Sequence, residues 1–193
     1  TQAKTLFPYT TLFRSNAFQG NANLISITIP LSVTSIGENA FNGCVGLTTI
    51  SIPPSITNIG TYAFANCSNL NTINFTTPIH ASFTTIKSYT FFNSGLKSIV
   101  IPTGITMIEA NAFEKCSLLE SVSLPNTLSN IGQFAFKDCT ALKDVKIPDS
   151  GLSTSLNIAS PPVDTNTMYL IFFSKFKIFV LTLLETITLC KYL

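Results

Sequence analysis

A 23-residue repeat runs through most of the chain and restricts its fold to a stack of similar units. The row from Leu70 is irregular: it has 26 residues, with four extra before Ile86 and one missing near Ser94. Half rows flank the array at residues 16–23 and 142–148. A single row is too short to bury its own apolar residues, so neighbouring rows must stack. The five full rows begin at Leu24, Leu47, Leu70, Leu96 and Leu119.

Each row opens with a pattern that predicts one β-strand. In the row from Leu47, Ile50 and Ile52 alternate with hydroxyl residues, which is typical of a strand with one buried face. Pro53 then ends the pattern, because proline has no N–H for a ladder and the chain must turn there. Equivalent strands about 4.8 Å apart would form a parallel sheet along one side of an array roughly 25 Å long.

The second half of each row predicts the opposite side of the coil. Val33 and Ile36 supply a second inward pair, and Gly37 follows at a position suited to a turn with positive φ, as do Gly60 and Gly132. The Ala40-Phe41 pair then predicts a short helical turn in the outer layer. The predicted fold is a repeat solenoid, with short parallel strands on one face and turns and short helical segments on the other.

The unit LxxIxIPxxVTxIGxxAFxxCxx resembles the BspA-like leucine-rich-repeat surface proteins, over residues 16 to about 148. This resemblance implies a leucine-rich-repeat solenoid that binds proteins at a cell surface, often in adhesion, and it implies no catalysis and no cofactor. The row from Leu70 departs from the family pattern, with Thr90 in place of Ala and no Cys. We therefore expect a loop near Pro78 to Thr84, which would carry His80.

Charge and motif content exclude two functional classes. Only 10% of the residues are charged, the net charge is +2, and Glu38 is the single charged residue between Ser15 and Ile86. Nucleic acid is excluded as a partner, since no basic cluster is present to neutralise phosphates. His80 is the only imidazole and no nucleophile, phosphate-loop or metalloprotease motif occurs, so we expect no enzyme activity. Three acidic residues near the last coils are interpreted as solvated surface charges: Asp138, Asp144 and Asp149.

Four cysteines share one column of the repeat. Their spacings of 23, 49 and 23 residues place the thiols in a line, whereas a zinc site needs ligands that converge on one point. We therefore expect no metal site and predict buried, free thiols that fill the core. Disulfides between coils, Cys44 to Cys67 and Cys116 to Cys139, remain the alternative.

The outward positions of successive strands form a row of hydroxyl and amide side chains, which we call the hydroxyl ladder. We predict that it contacts a polar protein or a glycan at a cell surface or in the extracellular matrix. Because it offers few aromatic or arginine anchors, single-site affinity should be weak and avidity should supply the rest. The alternative is a solvated strand face without a partner. The predicted partner-binding residues are Thr28, Thr49, Ser51, Thr72 and Asn74.

Both ends differ from the array. Residues 1–15 form a non-repeat segment that is either an artefact or a native cap, 16–150 form the solenoid, 151–167 a linker and 168–193 an apolar tail. Charges inside the tail disfavour a simple membrane span. The tail is interpreted as a helix capping the solenoid, a membrane-surface helix, or a non-native extension. No secretion signal is visible.

Two functions follow from these features. The first is a non-catalytic protein-binding repeat module of a cell-surface or secreted protein, active in adhesion or in host or cell-matrix recognition. The second is a structural spacer that holds another module of a larger surface protein and binds nothing itself. The adhesion function rests on the family resemblance, whereas the solenoid rests on the periodicity.

Overall fold

The computed structural model describes residues 12–146 and a separate two-residue strand, Asn157–Ile158. The described chain winds through successive coils, and four of the five full coils contribute short parallel strands to two sides of the solenoid, whereas the coil from Leu24 contributes only Ser35–Ile36. This confirms the predicted parallel solenoid. The strands are β1 (Leu12–Phe13), β2 (Ser35–Ile36), β3 (Thr49–Ile52), β4 (Asn58–Ile59), β5 (Thr72–Phe75), β6 (Thr85–Ile86), β7 (Ser98–Val100), β8 (Met107–Ile108), β9 (Ser121–Ser123), β10 (Asn130–Ile131), β11 (Asp144–Lys146) and β12 (Asn157–Ile158).

One side carries the strands that open the rows from Leu47 onward, and the other carries two-residue strands from the second half of each row. On the first side β3 pairs with β5, and β7, β9 and β11 form a second sheet. On the other side β1, β2 and β4 form one sheet, while β6, β8, β10 and β12 form another. The repeat length sets the register, since Thr49 lies beside Thr72 and Ser35 beside Asn58.

The prolines direct the chain from one side to the other. In four of the five full coils the proline carbonyl accepts a hydrogen bond from the backbone N–H three residues later, which closes a turn. The pair Ile56 N–H to Pro53 C=O, at 3.2 Å, is an example. The other three pairs are Val33 to Pro30, Ile105 to Pro102 and Leu128 to Pro125.

A column of stacked phenylalanine rings runs along the core. Neighbouring ring centroids lie 5.1 to 5.6 Å apart, and the rings are within 11° of parallel. Four of the six are fully buried, so the predicted packing of the Ala-Phe pairs against neighbouring coils is confirmed. We call this set the phenylalanine column: Phe18, Phe41, Phe64, Phe91, Phe113 and Phe136.

The predicted short helical segments are wrong, because no helix is present among the described residues. Successive N–H groups around Phe41 alternate between two kinds of acceptor. Asn39 and Phe41 donate to the next coil, at 3.0 and 2.8 Å, whereas Ala40 donates back to Gly37 in its own coil. A helix would direct every N–H along its own axis. The tertiary structure instead uses every second N–H of this turn to join neighbouring coils.

Two columns of positive-φ residues produce this alternating backbone. The first column places Asn39 in the left-handed region and also holds aromatic residues in other coils, and the second begins with Gly20 and Gly43. Asparagine and glycine adopt this conformation more readily than other residues. The first column is Asn16, Asn39, Tyr62, Tyr89, Asn111 and Phe134; the second is Gly20, Gly43, Asn66, Asn93, Lys115 and Asp138.

The prediction that Gly37, Gly60 and Gly132 adopt positive φ is also wrong, since none of them lies in that region. Their role is close approach between coils. A Cβ added to Gly60 would lie 2.5 Å from the backbone nitrogen of Glu38, in the preceding coil. Glu109 occupies this position in one coil, where its carboxylate accepts two hydrogen bonds from Ser88.

The irregular row keeps its place in the stack by changing only its loops. As predicted, the four extra residues lengthen the connection between β5 and β6, and this loop carries His80. Ser94 is buried and contacts the Cys116 sulfur at 3.3 Å, so it occupies the cysteine column that the sequence left empty in this row. Gly95 lies beside the one-residue deletion, where the chain passes very close to the preceding coil. A Cβ at this position would lie 2.0 Å from the Ser68 carbonyl oxygen, so the glycine makes this close approach possible.

Strand pairing continues into both segments that flank the repeats. Phe13 is buried, and its strand β1 pairs with β2. Asn157, within the predicted linker, pairs with Asn130. The predicted apolar tail, residues 168–193, lies outside the described residues, as do residues 1–11.

We predict that Phe64→Ala lowers the free energy of unfolding by about 3–5 kcal/mol, because it removes a fully buried ring between two stacked neighbours. Urea denaturation of the purified chain measures this change. Val100→Ala is the control: 68% of that side chain is exposed, so it should change stability by less than about 0.5 kcal/mol. Equal losses in the two variants would contradict a core that depends on the phenylalanine column.

The stabilities of two glycine variants should distinguish a glycine needed for close approach between coils from a glycine needed for positive φ. Gly60→Ala should lower the free energy of unfolding by about 2–3 kcal/mol, because its Cβ would clash with the backbone of the preceding coil. Gly20→Ala should cost only about 1 kcal/mol, since Gly20 has positive φ but open space around the added Cβ. Denaturation curves of the two variants show which one loses more unfolding free energy. A larger loss for Gly20→Ala than for Gly60→Ala would contradict the conclusion that close approach is the stricter constraint.

Candidate recognition surface

The structure brings the predicted partner-binding residues together on one exposed face. Thr49 is the register partner of Thr72, and Ser51 is the register partner of Asn74. All four side chains are exposed, and so is Thr28 on the coil before β3. The Ile50 and Ile52 side chains between them point into the core. Alternation along the strand therefore places the hydroxyl ladder on the outside, as we predicted.

The character of this face changes along the solenoid. Its first part, up to β5, carries hydroxyl and amide groups. Beyond β5 the outward positions include Val100, with 68% of its side chain exposed, and then charged residues. Lys143 pairs with Glu120 at 2.8 Å, and Lys146 pairs with Asp144 at 3.7 Å. The part of the face up to β5, which holds the five predicted residues, therefore carries no charged residue.

A cavity of about 270 Å³ opens on this uncharged part, between the first full coil and β3. We call it the slit. Three of the predicted residues line it: Thr28, Thr49 and Ser51. The sequence contains no signal for the slit, because the row from Leu24 has the same apolar and proline columns as the rows that close against one another. Its other lining residues are Ser26, Ile27, Ile29, Ile50, Pro53 and Thr76.

The turn edge carries a second group of side chains that sequence reasoning missed. The Tyr62 and Tyr89 rings stack with centroids 4.6 Å apart, and Phe92 packs edge-on against Tyr89 at 5.8 Å. The Lys115 ammonium lies 5.4 Å from the Phe92 ring centroid, which is within cation–π distance. The only available signal was the replacement of Asn39 by an aromatic residue at the same position of later rows. Burial raises the pKa of Tyr62, and the nearby Tyr89 and Glu114 add to this effect.

His80 lies on the exposed loop between β5 and β6. Its Nδ1 accepts a hydrogen bond from the backbone N–H of Ser82 at 3.1 Å, so the imidazole is engaged within its own loop. Asp144 is exposed, as expected for a surface charge, whereas Asp149 lies outside the described residues. Within residues 12–146, no cluster of three or more His, Cys, Asp or Glu side chains is suited to hold a metal ion.

The four described column cysteines are buried and free, as predicted. Each thiol donates a hydrogen bond to the carbonyl of a phenylalanine-column residue in the preceding coil. Cys67 Sγ lies 3.0 Å from the Phe41 oxygen. The other pairs are Cys44 to Phe18, Cys116 to Phe91 and Cys139 to Phe113.

Comparison with protein families identifies the repeat. The family model of the BspA type leucine rich repeat region matches residues 11–81 and 76–159, with six copies. The chain belongs to this family. Its BspA-type repeats therefore account for the coil length and for the columns of apolar, proline and cysteine residues. Comparison with curated proteins gives no match.

Solved structures contain the same BspA-type fold. A leucine rich cell surface protein from Faecalibacterium prausnitzii is 33% identical, with a TM-score of 0.62, over 71% of this chain and 36% of that protein. A leucine-rich repeat protein from Bacteroides ovatus is 35% identical, with a TM-score of 0.62, over 74% of this chain and 36% of that protein. The T. pallidum leucine rich repeat protein is 28% identical, with a TM-score of 0.58, over 72% of this chain and 71% of that protein. The chain thus spans only 36% of the length of the first two relatives.

None of the described BspA-type coils contains a helix long and apolar enough to span a membrane.

Burial opposes ionisation of the column thiols, and three of the four, Cys44, Cys67 and Cys139, have a raised pKa. Burial raises the pKa of the Cys67 thiol to about 12, so the thiol stays protonated and keeps its hydrogen bond to Phe41. Burial also raises the pKa of Cys44. The pKa of Cys139 is raised by its side-chain contact with Cys116 and by burial. In this BspA-type array the column therefore serves as core packing and as a donor to the preceding coil.

The raised pKa predicts that alkali destabilises the array. Above pH 9, the ordinary value, the unfolded chain loses the Cys67 proton that the folded chain retains to about pH 12, so stability falls as pH rises through this window. Between pH 9 and 10.5 this thiol should account for a loss of about 2 kcal/mol. Urea denaturation under reducing conditions at both pH values measures the loss.

The chain itself supplies the control for this experiment. Cys67→Ser should retain a donor to Phe41, as Ser94 provides a hydroxyl in the same column, but it removes the titrating thiol. Its free energy of unfolding should fall less steeply with pH than that of the parent. Parallel pH profiles of the parent and the variant would show that the thiol proton is not responsible.

Proposed function

We propose that this chain is a non-catalytic recognition module of a cell-surface or secreted protein, and that it acts in adhesion or in host or cell-matrix recognition. It binds a protein or glycan partner through the hydroxyl ladder. The observation that carries this proposal is the common exposure of Thr28, Thr49, Ser51, Thr72 and Asn74 on one face of the solenoid.

The chemistry of that face supports a polar partner of low intrinsic affinity. Side chains with both donor and acceptor capacity repeat along the ladder at the spacing of the strands. Large aromatic or arginine anchors, which dominate tight interfaces, are missing from the described part of this face. Weak contacts repeated along an extended surface bind through avidity. A surface location is supported by the Faecalibacterium relative, which is described as a leucine rich cell surface protein.

A structural spacer is the alternative, and the phenylalanine column favours it. Parallel rings spaced 5.1 to 5.6 Å apart connect every coil from Phe18 to Phe136. Such continuous packing suits a rod that holds another module away from a surface, and it requires no partner on the hydroxyl ladder.

A multivalent display of the full chain distinguishes these functions. We expect capture of at least one component of a panel of extracellular-matrix proteins and cell-surface glycans. A ladder variant, with valine at Thr28, Thr49 and Thr72 and alanine at Ser51 and Asn74, should reduce capture at least about tenfold because it removes all five polar groups. Solid-phase binding measures capture, and circular dichroism melting curves verify folding.

A matched variant replaces five exposed polar residues away from the ladder, with valine at Thr103 and alanine at Ser32, Ser68, Ser117 and Asn126. It should retain capture within about twofold. Unchanged capture by the folded ladder variant would locate binding elsewhere. No capture by the folded parent across the panel would favour the spacer.

A further inference from the structure

The slit lies where the backbone ladder of the hydroxyl-ladder face is open between the first full coil and β3; the ladder is also open between β5 and β7. In the last two full coils the residue that ends the strand pattern donates to the next coil: Ile101 N–H reaches the Ser123 carbonyl at 2.9 Å, and Leu124 N–H reaches the Lys146 carbonyl at 2.8 Å. Ile29 is the equivalent residue of the first full coil. Among residues 12–146, however, no backbone hydrogen bond joins Ile27 or Ile29 to β3.

Backbone N–H and C=O groups of the first full coil and of β3 therefore face one another across the slit without a direct hydrogen bond. Backbone N–H and C=O groups are strong donors and acceptors, and a strand edge that lacks its neighbour presents both kinds in a row. Hydroxyl groups surround this edge on both walls, from Ser26 and Thr28 on one side and from Thr49 and Ser51 on the other. The slit thus offers many hydrogen-bonding groups within about 270 Å³.

Both ends of the slit are closed, which limits the shape of what can enter. At one end Thr48 N–H contacts the Ile25 carbonyl at 3.4 Å, and Gly46 lies so close to Ala22 that an added Cβ would be 2.3 Å from its oxygen. Towards the other end Thr57 N–H donates to the Thr34 carbonyl at 2.7 Å. A peptide that adds to a strand edge must run along it in extended form. A compact ligand fits this closed shape better than an extended strand.

Charge limits the chemistry of the ligand as well. Glu38 is the only charged residue between Ser15 and Ile86, and it does not line the slit. A charged ligand group would lose its hydration there without gaining a partner of opposite charge. Ile27 and Pro53 add apolar surface to the lining. The slit therefore favours an uncharged ligand with many hydroxyl groups and one apolar side.

We propose that the slit binds one uncharged hexose-type unit of a glycan. Sugar hydroxyls both donate and accept, so they match the mixed N–H and C=O groups of the open edge, while ring C–H groups pack on Ile27 and Pro53. The cavity volume lies near the lower end of ligand pockets, about 300 Å³, which suits a single sugar ring. This inference rests on the proposed recognition function and names the partner class for one end of the hydroxyl ladder.

The test uses the full chain and two kinds of immobilised polymer probe. One set carries neutral glucose, galactose, mannose or N-acetylglucosamine, and the other carries sialylated or sulfated sugars. At least one neutral probe should bind. Ser51→Trp, which fills the slit, should reduce this binding at least about tenfold, whereas Ser123→Trp should change it less than about twofold. Ser123 is the control because it occupies the same column on β9, where the ladder is closed.

A second measurement does not depend on the variants. In amide NMR spectra of the parent chain, the neutral monosaccharide that matches the bound probe should shift the Ile29 N–H signal and slow its exchange with solvent, and it should leave Ile101 unchanged. Ile101 is the matched amide, since it already donates to Ser123.

The other possible results of the probe-binding and NMR experiments distinguish between ligand classes. Binding only of charged probes, neutral binding that survives Ser51→Trp, or an unchanged Ile29 amide would overturn the saccharide assignment. Competition by an extended peptide that shifts the same amide, without any sugar effect, would assign the slit to strand addition instead. If the sugar effects are missing but the ladder variant still abolishes capture of a matrix protein, only this inference fails. If the folded parent captures nothing in either experiment, the proposed function fails too.

Discussion

Stacking of one coil on the next, in strict 23-residue register, is the constraint on which the rest of this structure depends. One coil has too few residues to enclose its own apolar side chains, so its core exists only between neighbours. The phenylalanine column shows this directly, because Phe64 has stacking partners only in the coils before and after it. The alternating hydrogen bonds of the Phe41 turn have the same origin: half of the N–H groups are satisfied by the next coil.

The same constraint shapes the recognition surface. Once Ile50 and Ile52 point into the stack, alternation along the strand leaves Thr49 and Ser51 outside, and equal coil lengths align them with the next strand. The outward position of these side chains is thus a direct product of the fold. The slit is different, because it interrupts the regularity that stacking produces.

Residue types and their spacing predicted much of the core. The apolar columns, the turn after Pro53, the buried cysteines and the lengthened loop near His80 all follow from burial and from proline chemistry that act within one row. Two predictions were wrong because the contacts that decide the local structure are made between neighbouring rows. Gly60 was interpreted as a positive-φ residue, but the preceding coil leaves no room for a Cβ. The Ala-Phe turn was interpreted as helical, but its N–H groups pair with the next coil.

The sequence by itself determined the coil length, which side chains are buried and which residues form the outward row, because these depend on periodicity and on the alternation of a strand. The tertiary structure alone decided how closely two coils approach each other. That distance depends on backbone contacts such as Gly46 against Ala22, and on whether a ladder bond such as Ile101 to Ser123 forms, and neither is encoded in a single row. The first full coil has the apolar and proline columns of its neighbours, yet its ladder to β3 is open. The slit is therefore a property of the assembled stack, since it arises from the distance between two backbones.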